Sequence, residues 1–284
     1  MRPSKLSTLI VLLALAGIAQ AQNLVINGDF ESKTHLPWLR TTTGAASPPT
    51  FETLDVGAKV DTAMRLDGTG SWVQEFLLPV AIAKRGWYRL RISTRFSRPA
   101  NTNESASVTL KLDQFASRLA TTSMFVGFSS SWFHVSHVTE PRIMEATPAR
   151  ALLTVQGNGP VSIWVDDIAV EAVLDGPMPW IDSFGMNLAS RDPRASLAIL
   201  FLSPSKLSTP IAVPGIAGTW SLDPAWMLFV APVQLPAATG GIRSVRWLPF
   251  LPQSLQQYGG ELHFQAIDWT GSIFGMPTSV PFRR

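Results

Sequence analysis

Short apolar runs alternate with turn residues along most of the chain, and helical periodicity is nearly absent. Residues 106–113 (ASVTLKLD) and 132–138 (WFHVSHV) alternate apolar and polar positions, which predicts strands with one buried face. Apolar runs at 151–156 and 161–173 predict two more strands. The turn residues Gly157-Asn158-Gly159-Pro160 between these two runs predict a hairpin. Short strands at this spacing predict an all-β protein of the sandwich or jelly-roll type.

The N-terminus has the three parts of a secretory signal peptide, which we assign to residues 1–21. Arg2 and Lys5 precede an uncharged apolar run at 6–18, and Ala19-Gln20-Ala21 follows as a small-residue cleavage site. An uncleaved membrane anchor is the alternative, but the run of about 13 residues is shorter than the roughly 20 needed to span a bilayer. We therefore expect a secreted or cell-surface protein with no membrane span after signal cleavage.

A proline-bearing segment at 174–179 (LDGPMP) predicts a domain boundary. The expected fold is a jelly-roll β-sandwich over residues 22–174, followed by a second, smaller β-sandwich-like domain over residues 175–284. The second part is rich in proline and tryptophan and poor in charge, with strand candidates at 196–202, 226–231 and 261–267.

Composition narrows the function only slightly. The chain has 23 basic and 20 acidic residues and no cysteine. The absence of cysteine excludes disulfides and cysteine nucleophiles. The arginines are scattered without a basic run, so we expect no nucleic-acid partner.

Four short sequence motifs occur in order between residues 23 and 173. They are the opening Asn23–Ser32 (NLVINGDFES), the strand at 86–92 (GWYRLRI), Ser131-Trp132, and the closing Val161–Val170 (VSIWVDDIAV). In this order they resemble carbohydrate-binding modules of the family 4/9 kind, which are galactose-binding-like jelly rolls. The closing segment of the chain, 260–268 (GELHFQAID), resembles an unnamed C-terminal β module of secreted bacterial surface proteins.

The resemblance implies a structural calcium ion between the first and last strands. Its candidate ligands are Glu31 and Asp166, with Asp167 as a substitute, since Ca²⁺ takes six to eight oxygens from carboxylates and carbonyls. Asp166 shares strand parity with Trp164, Ile168 and Val170, so we expect it to face inward, where a carboxylate needs a partner or an ion. The alternative is that Asp166 accepts hydrogen bonds and holds no metal.

Sugar binding by such modules implies aromatic rings on which a pyranose can stack. Trp38 and Trp72 lie near loop signals and are the candidate carbohydrate-binding residues, whereas Tyr88, Trp132 and Trp164 lie in strand patterns and are expected to pack. Packing is also the alternative for the two candidates. Burial of both would favour a structural role, and a shared groove would favour sugar binding.

Known catalytic motifs do not occur in the chain. His-Glu-x-x-His, Gly-x-Ser-x-Gly and a glycine-rich phosphate loop are missing, and His134 and His137 are three apart on a predicted strand, so they point to opposite faces. We expect that the protein is not an enzyme, although two carboxylates distant in sequence could meet in space and form a glycosidase site.

The expected function is that of a secreted non-catalytic glycan-binding protein with a polysaccharide or cell-surface glycan as partner. The alternative is a structural or adhesive cell-surface protein that uses the same sandwich without sugar recognition.

Overall fold

A computed structural model describes a large part of the chain. The described residues are 23–41, 48–56, 59–77, 88–97, 106–114, 117–126, 132–138, 148–157, 161–173, 176–182, 185–190, 192, 196–237, 243–248, 260–269, 273–275 and 277–282. The predicted signal peptide lies outside them. Within these ranges no helix is long and apolar enough to cross a membrane.

The described residues up to Val173 contain ten strands. They are β1 (Leu39–Arg40), β2 (Thr50–Val56), β3 (Lys59–Asp67), β4 (Gly70–Leu77), β5 (Tyr88–Ser97), β6 (Ala106–Gln114), β7 (Ser117–Val126), β8 (Phe133–Val138), β9 (Pro148–Gly157) and β10 (Ser162–Ala172).

These strands form two five-stranded antiparallel sheets. Sheet A has the order β2-β3-β10-β5-β8, and sheet B has the order β1-β4-β9-β6-β7. One hydrophobic core contains buried side chains from both sheets, such as Leu90 and Ile163 from sheet A and Leu110 and Leu153 from sheet B. Two sheets that share a core in this way form a β-sandwich of the jelly-roll type, which confirms the predicted fold class.

The predicted hairpin between residues 151–156 and 161–173 is wrong. The first segment is β9, which pairs with β4 and β6 in sheet B, and the second is β10, which pairs with β3 and β5 in sheet A. Turn residues specify where a chain reverses, but they do not specify which strand it pairs with afterwards. Here the chain crosses from one sheet of the sandwich to the other.

The described residues of the C-terminal half, which lie between 176 and 282, contain nine further strands. They are β11 (Met178–Asp182), β12 (Gly185–Ser190), β13 (Leu197–Ser203), β14 (Lys206–Ile211), β15 (Trp220–Leu222), β16 (Phe229–Gln234), β17 (Arg243–Leu248), β18 (Gly260–Asp268) and β19 (Thr278–Phe282).

The C-terminal strands form a second set of antiparallel sheets. Sheet C has the order β11-β12-β17, sheet D has the order β16-β13-β18-β19, and β14 and β15 make a two-stranded ribbon. A second hydrophobic core joins Met186 and Leu188 of sheet C to Leu200 and Phe264 of sheet D. The C-terminal half is thus also built from packed β-sheets.

Candidate functional site

The opening segment of the sandwich is fastened to its last strand. The Leu24 amide donates to the Val170 carbonyl at 2.8 Å, and the Ile168 amide donates to the Gly28 carbonyl at 2.9 Å. The Asn23 side chain accepts from the Val170 amide at 3.0 Å. The first and last segments of the sandwich therefore lie together, as the resemblance implied.

Asn27 and Gly28 give this opening segment its shape. Asn27 has a φ of 51°, and its side-chain amide donates to the carbonyls of Thr34 at 2.7 Å and Leu36 at 2.8 Å. A Cβ atom on Gly28 would lie 2.0 Å from the carbonyl oxygen of Ile168, so only glycine fits there. Both residues of the Asn-Gly motif thus have structural roles, and the motif specifies the fold rather than a ligand.

Glu31 and Asp166 flank the point where β10 leaves β3. The last paired residues of these two strands are Val165 and Met64. Thr62 lies two residues before Met64 on β3, and its amide donates to Oε1 of Glu31 at 2.9 Å rather than to β10. Asp166 follows Val165 directly, so the two carboxylates approach the same break in the sheet from different segments.

A β-bulge changes the orientation of the closing strand. The register of β10 against β5 shifts between Asp166 and Ala169, and Asp167 has a φ of 51°. Before the shift, Asp166 pairs with Ser93, and after it Ile168 packs in the core. The prediction that Asp166 and Ile168 share the inward face is wrong, because the bulge breaks the period-two alternation.

The bulge also brings the two aspartates to one side of the sheet. Asp167 accepts a hydrogen bond from the Ser93 hydroxyl at 2.7 Å, and Asp166 accepts one from the Asp167 amide at 2.7 Å. In the described part of the chain, no three or more His, Cys, Asp or Glu residues gather where they could hold a metal ion. The calcium ligands Glu31, Asp166 and Asp167 therefore remain a prediction.

Trp38 and Trp72 are buried in the sandwich core, with exposures of 0% and 1%. On β4 the side chains of Trp72 and Gln74 face inward, while Ser71 and Val73 remain partly exposed. A buried indole cannot stack on a sugar, so the structure contradicts the carbohydrate-binding prediction for both tryptophans. Their role is packing, which was the stated alternative.

Trp164 lies on the outer face of sheet A, outside the main core. Its indole nitrogen donates to Glu52 at 2.7 Å, and the guanidinium carbons of Arg65 and Arg95 lie 5.3 Å and 5.1 Å from the ring centroid. Burial raises the pKa of Glu52, but the hydrogen bonds from Arg65 and Trp164 lower it more, so the pKa lies below its usual value. With Trp132 packed in the same cluster, the ring is covered and only 7% exposed.

The C-terminal half contacts the same outer face of sheet A through Arg89. Arg89 Nε donates to Oε2 of Glu171 at 2.8 Å, and its Nη2 donates to the Pro277 carbonyl at 3.1 Å. Its Nη1 donates to the Thr278 hydroxyl, which in turn donates to the Pro179 carbonyl. Arg89 is only 2% exposed, so this part of the face is closed to ligands.

The outer face of sheet B, in contrast, presents polar side chains. Cross-strand register aligns Ser71, Thr154 and Thr109 in one row and Glu75, Arg150 and Asp113 in another. Lys111 lies between the rows beside Val73 and Leu152, and all of these side chains are partly or fully exposed. The Arg150 and Asp113 side chains are 3.9 Å apart. This face offers hydroxyl groups and charged groups that can hydrogen-bond a polar ligand.

The most exposed tryptophans that the structure describes lie in the C-terminal half. Trp226 and Trp269 are each 61% exposed, and the sequence analysis did not select them. The available signal was local: Trp226 follows Asp223-Pro224 and opens the strand candidate 226–231, and Trp269 lies two residues after the strand candidate 261–267. Aromatic content alone could not separate these residues from the buried tryptophans.

His263 is the one histidine whose side-chain contacts the structure describes closely. Its Nδ1 lies 2.8 Å from the hydroxyl of Ser279, its cross-strand neighbour, and its Nε2 lies 3.8 Å from Glu261. Burial lowers the pKa of His263, which favours the neutral ring. Neighbouring positions on paired strands explain this contact without any catalytic role.

Comparison with known proteins finds similarity only at the level of structure. No family model and no curated protein matches the chain. A family 61 carbohydrate-binding module in complex with β-1,4-galactotriose matches with a TM-score of 0.40 and 16% identity over 53% of this chain and 98% of that one. A family 16 carbohydrate-binding module matches with a TM-score of 0.36 and 17% identity over 52% and 99%.

An enzyme is also among the similar structures. The enzymatically active domain of a tailspike protein of bacteriophage CBA120 matches with a TM-score of 0.38 and 13% identity, over 52% of this chain but 21% of that one. The similar structures are mainly carbohydrate-binding modules, as the four sequence motifs predicted. At these TM-scores the similarity assigns no function by itself.

Proposed function

We propose that this protein is a secreted, non-catalytic glycan-binding protein whose sandwich contacts its ligand with the outer face of sheet B. The observation that carries the proposal is the difference between the two outer faces. On sheet A, Arg89 is covered by the C-terminal half and Trp164 is enclosed by neighbouring side chains. On sheet B, the polar rows remain accessible to solvent.

The chemistry of this accessible face suits a sugar. Sugar hydroxyl groups both donate and accept hydrogen bonds, and the rows on sheet B supply both functions through serine and threonine hydroxyls. Lys111 and Arg150 add charged donors, and hydrogen bonds to charged groups are worth about 1.5–3 kcal/mol each. Neighbouring strands hold these side chains on a rigid sheet, which limits the entropy lost on binding.

A glycan array followed by titration calorimetry on the mature protein tests the proposal. We expect Lys111→Ala and Arg150→Ala each to weaken binding of the best glycan about tenfold, because one charge-assisted hydrogen bond is lost. Lys206→Ala is the matched control, since Lys206 is exposed on the C-terminal half. The proposal fails if no polysaccharide binds at millimolar concentration.

A structural or adhesive surface protein is the second candidate function. The burial of Trp38 and Trp72 favours it, because both candidate stacking rings belong to the core. An empty glycan array, together with retention of the protein on a cell surface from which glycans have been removed, would decide for this candidate.

We keep calcium binding as part of the proposal, on changed grounds. Asp166 lies on the outer side of sheet A and is 0% exposed, whereas Glu31 is exposed. Repulsion between two buried carboxylates therefore no longer supports the site. What supports it is that Glu31 and Asp166 flank the same break between β3 and β10. Ca²⁺ at this point would draw oxygen ligands from both segments and tie the N-terminal segment to the last strand.

Chelator should therefore lower the melting temperature of the mature protein. An ion that binds only the folded form stabilises it by about 2.7 kcal/mol at a hundredfold excess over its dissociation constant. Glu31→Gln or Asp166→Asn should abolish the chelator effect, while Asp29→Asn, an exposed neighbour, should leave it intact. Elemental analysis should establish the metal content of the protein before and after chelation. Equal melting temperatures with and without chelator would then contradict the calcium proposal.

A further inference from the structure

Along β13 and β16, sheet D carries mainly apolar side chains on both of its faces. On one face, Ala198 and Leu200 of β13 contribute to the second core. On the other face, cross-strand register places Ile199 beside Pro232 and Phe201 beside Val230. An antiparallel sheet with one solvated face normally alternates apolar and polar residues, so this second face has the composition of a surface that is covered.

The chain itself covers only part of this second face. Trp220 of the ribbon packs edge-on against Phe201, with ring centroids 4.9 Å apart. Gln265, on the same row, accepts from the Ser221 amide at 2.8 Å and donates to the Thr219 carbonyl at 2.6 Å, which holds the ribbon in place. On β18 the cover extends to Ile267, which forms a bridge with Phe274 and is 8% exposed. Along β13 and β16 the face is open.

The open part forms an apolar strip along β13 and β16, which ends where Leu197 lies beside the exposed Gln234. Leu228 is 61% exposed and Val230 is 51% exposed. Pro232 is also exposed, and Leu197 and Ile199 on β13 are partly exposed. None of these five residues is charged, and the strip follows the length of a seven-residue strand, which is about 20 Å.

The two most exposed tryptophans lie at opposite ends of this strip. Trp269 follows β18, and its amide donates to the Leu197 carbonyl at 2.9 Å at the start of β13. Trp226 precedes β16, and its carbonyl accepts from the Ser203 hydroxyl at 3.3 Å at the end of β13. An exposed indole is thus anchored through its backbone at each end of the apolar strip.

Local hydrogen bonds make both tryptophan positions rigid. Asp223 accepts from the Ala225 amide at 3.0 Å and so caps the short turn that carries Trp226. Asp268 accepts from the Ile273 amide at 2.8 Å and closes the turn that carries Trp269. Because the backbone is fixed in this way, a ligand that covers the rings has only the side-chain torsions to order.

We infer that the apolar strip and its two terminal tryptophans bind an extended, neutral polysaccharide chain. This inference rests on the proposed glycan-binding function and assigns the aromatic contact surface to the C-terminal half. A pyranose ring presents a flat array of C–H groups that stacks on an indole, and a sugar chain is long enough to reach both rings. A strip without charged side chains matches a neutral chain and offers no partner to an acidic one.

A second copy of the chain is disfavoured as an added strand at the edge of this sheet. β16 is an edge strand of sheet D, and a second strand would have to pair with its free edge. Proline in a sheet is confined to edge strands, with its missing amide on the solvent side. Pro232 in the middle of β16 therefore interrupts the donors that strand addition would need.

The test uses the mature protein and the neutral polysaccharide that gives the strongest array signal. We expect Trp226→Ala and Trp269→Ala each to weaken binding about tenfold in calorimetry, and the double variant to weaken it further. Ile26→Ala is the control, because Ile26 is 67% exposed and belongs to the opening segment of the sandwich, outside both proposed contact surfaces. Circular dichroism spectra and melting temperatures should be unchanged, because both indoles are exposed.

The outcomes separate this inference from the proposed function. Binding that persists at wild-type affinity in the double variant overturns the inference and leaves glycan binding standing. Absence of glycan binding by the wild-type protein overturns both. A concentration-dependent dimer that Trp269→Ala dissociates would assign the strip to a second copy and overturn the inference.

Discussion

Replacing Arg89 with methionine should destabilise the protein by about 3–5 kcal/mol, because the substitution leaves the Glu171 carboxylate buried without its main partner. The Arg89 and Glu171 side chains are 3% and 11% exposed and lie 2.8 Å apart. The same guanidinium donates to Thr278 and Pro277 of the C-terminal half. Urea unfolding followed by tryptophan fluorescence measures the loss.

The double variant Arg89→Met/Glu171→Met separates this effect from packing. It removes both charges, so it should recover much of the stability lost in the single variant. Arg150→Met, at an exposed arginine of sheet B, should change stability by less than about 1 kcal/mol. A single variant as stable as the wild type would show that the ion pair does not support the contact between the two halves.

The same pair makes stability depend on pH. Burial raises the pKa of Glu171, but the charges of Arg89 and Arg91 lower it by a larger amount. The pKa of Glu171 therefore lies below the ordinary value of 4.5. A lowered pKa in the folded state contributes stability that is complete above the unfolded-state value and is lost as the pH falls through the folded-state value. The melting temperature should therefore decrease as the pH is lowered below about 4.5. Glu171→Gln should remove the part of this decrease that comes from protonation of Glu171.

Replacing Gly28 with alanine should have the second large effect. The new Cβ would lie 2.0 Å from the Ile168 carbonyl oxygen, so the opening segment has to move away from β10. Overpacking costs about 1–3 kcal/mol, and loss of the hydrogen bond between Ile168 and Gly28 adds about 1 kcal/mol. We expect a drop in melting temperature of at least about 4 °C, measured by calorimetry.

Asp29→Ala is the matched control for this substitution. Asp29 is the next residue in the chain and is exposed, so an alanine introduced there should leave the melting temperature nearly unchanged. Equal melting temperatures for Gly28→Ala and the wild type would mean that the opening segment does not pack against the closing strand.

The strands were predictable because their side-chain alternation is local. β6 and β10 fall where the apolar patterns predicted them. Pairing was less predictable: the glycine and proline turn before β10 looked like a hairpin, yet β9 and β10 belong to different sheets. Which strands pair depends on how both sheets bury one core, and a turn contains no information about that.

The candidate site depended even more on tertiary structure. Asp166 was assigned to the inward face by counting residues, and one bulge at Asp167 changed that assignment. Trp38 and Trp72 could not be separated from Trp226 and Trp269 by residue type, since tryptophan is common both in cores and at binding surfaces. Only the packed structure shows which indoles remain exposed.

The sequence by itself determined that this protein is built from β-strands and that its opening and closing motifs belong to a jelly-roll sandwich, because side-chain alternation and close-fitting residues such as Gly28 act over short range. Tertiary structure alone decided which surfaces remain available. Arg89 donates a hydrogen bond to the carbonyl of Pro277, which is 188 residues away. This contact covers part of one face of the sandwich. Exposure depends on what the rest of the chain covers, and no local pattern contains that information.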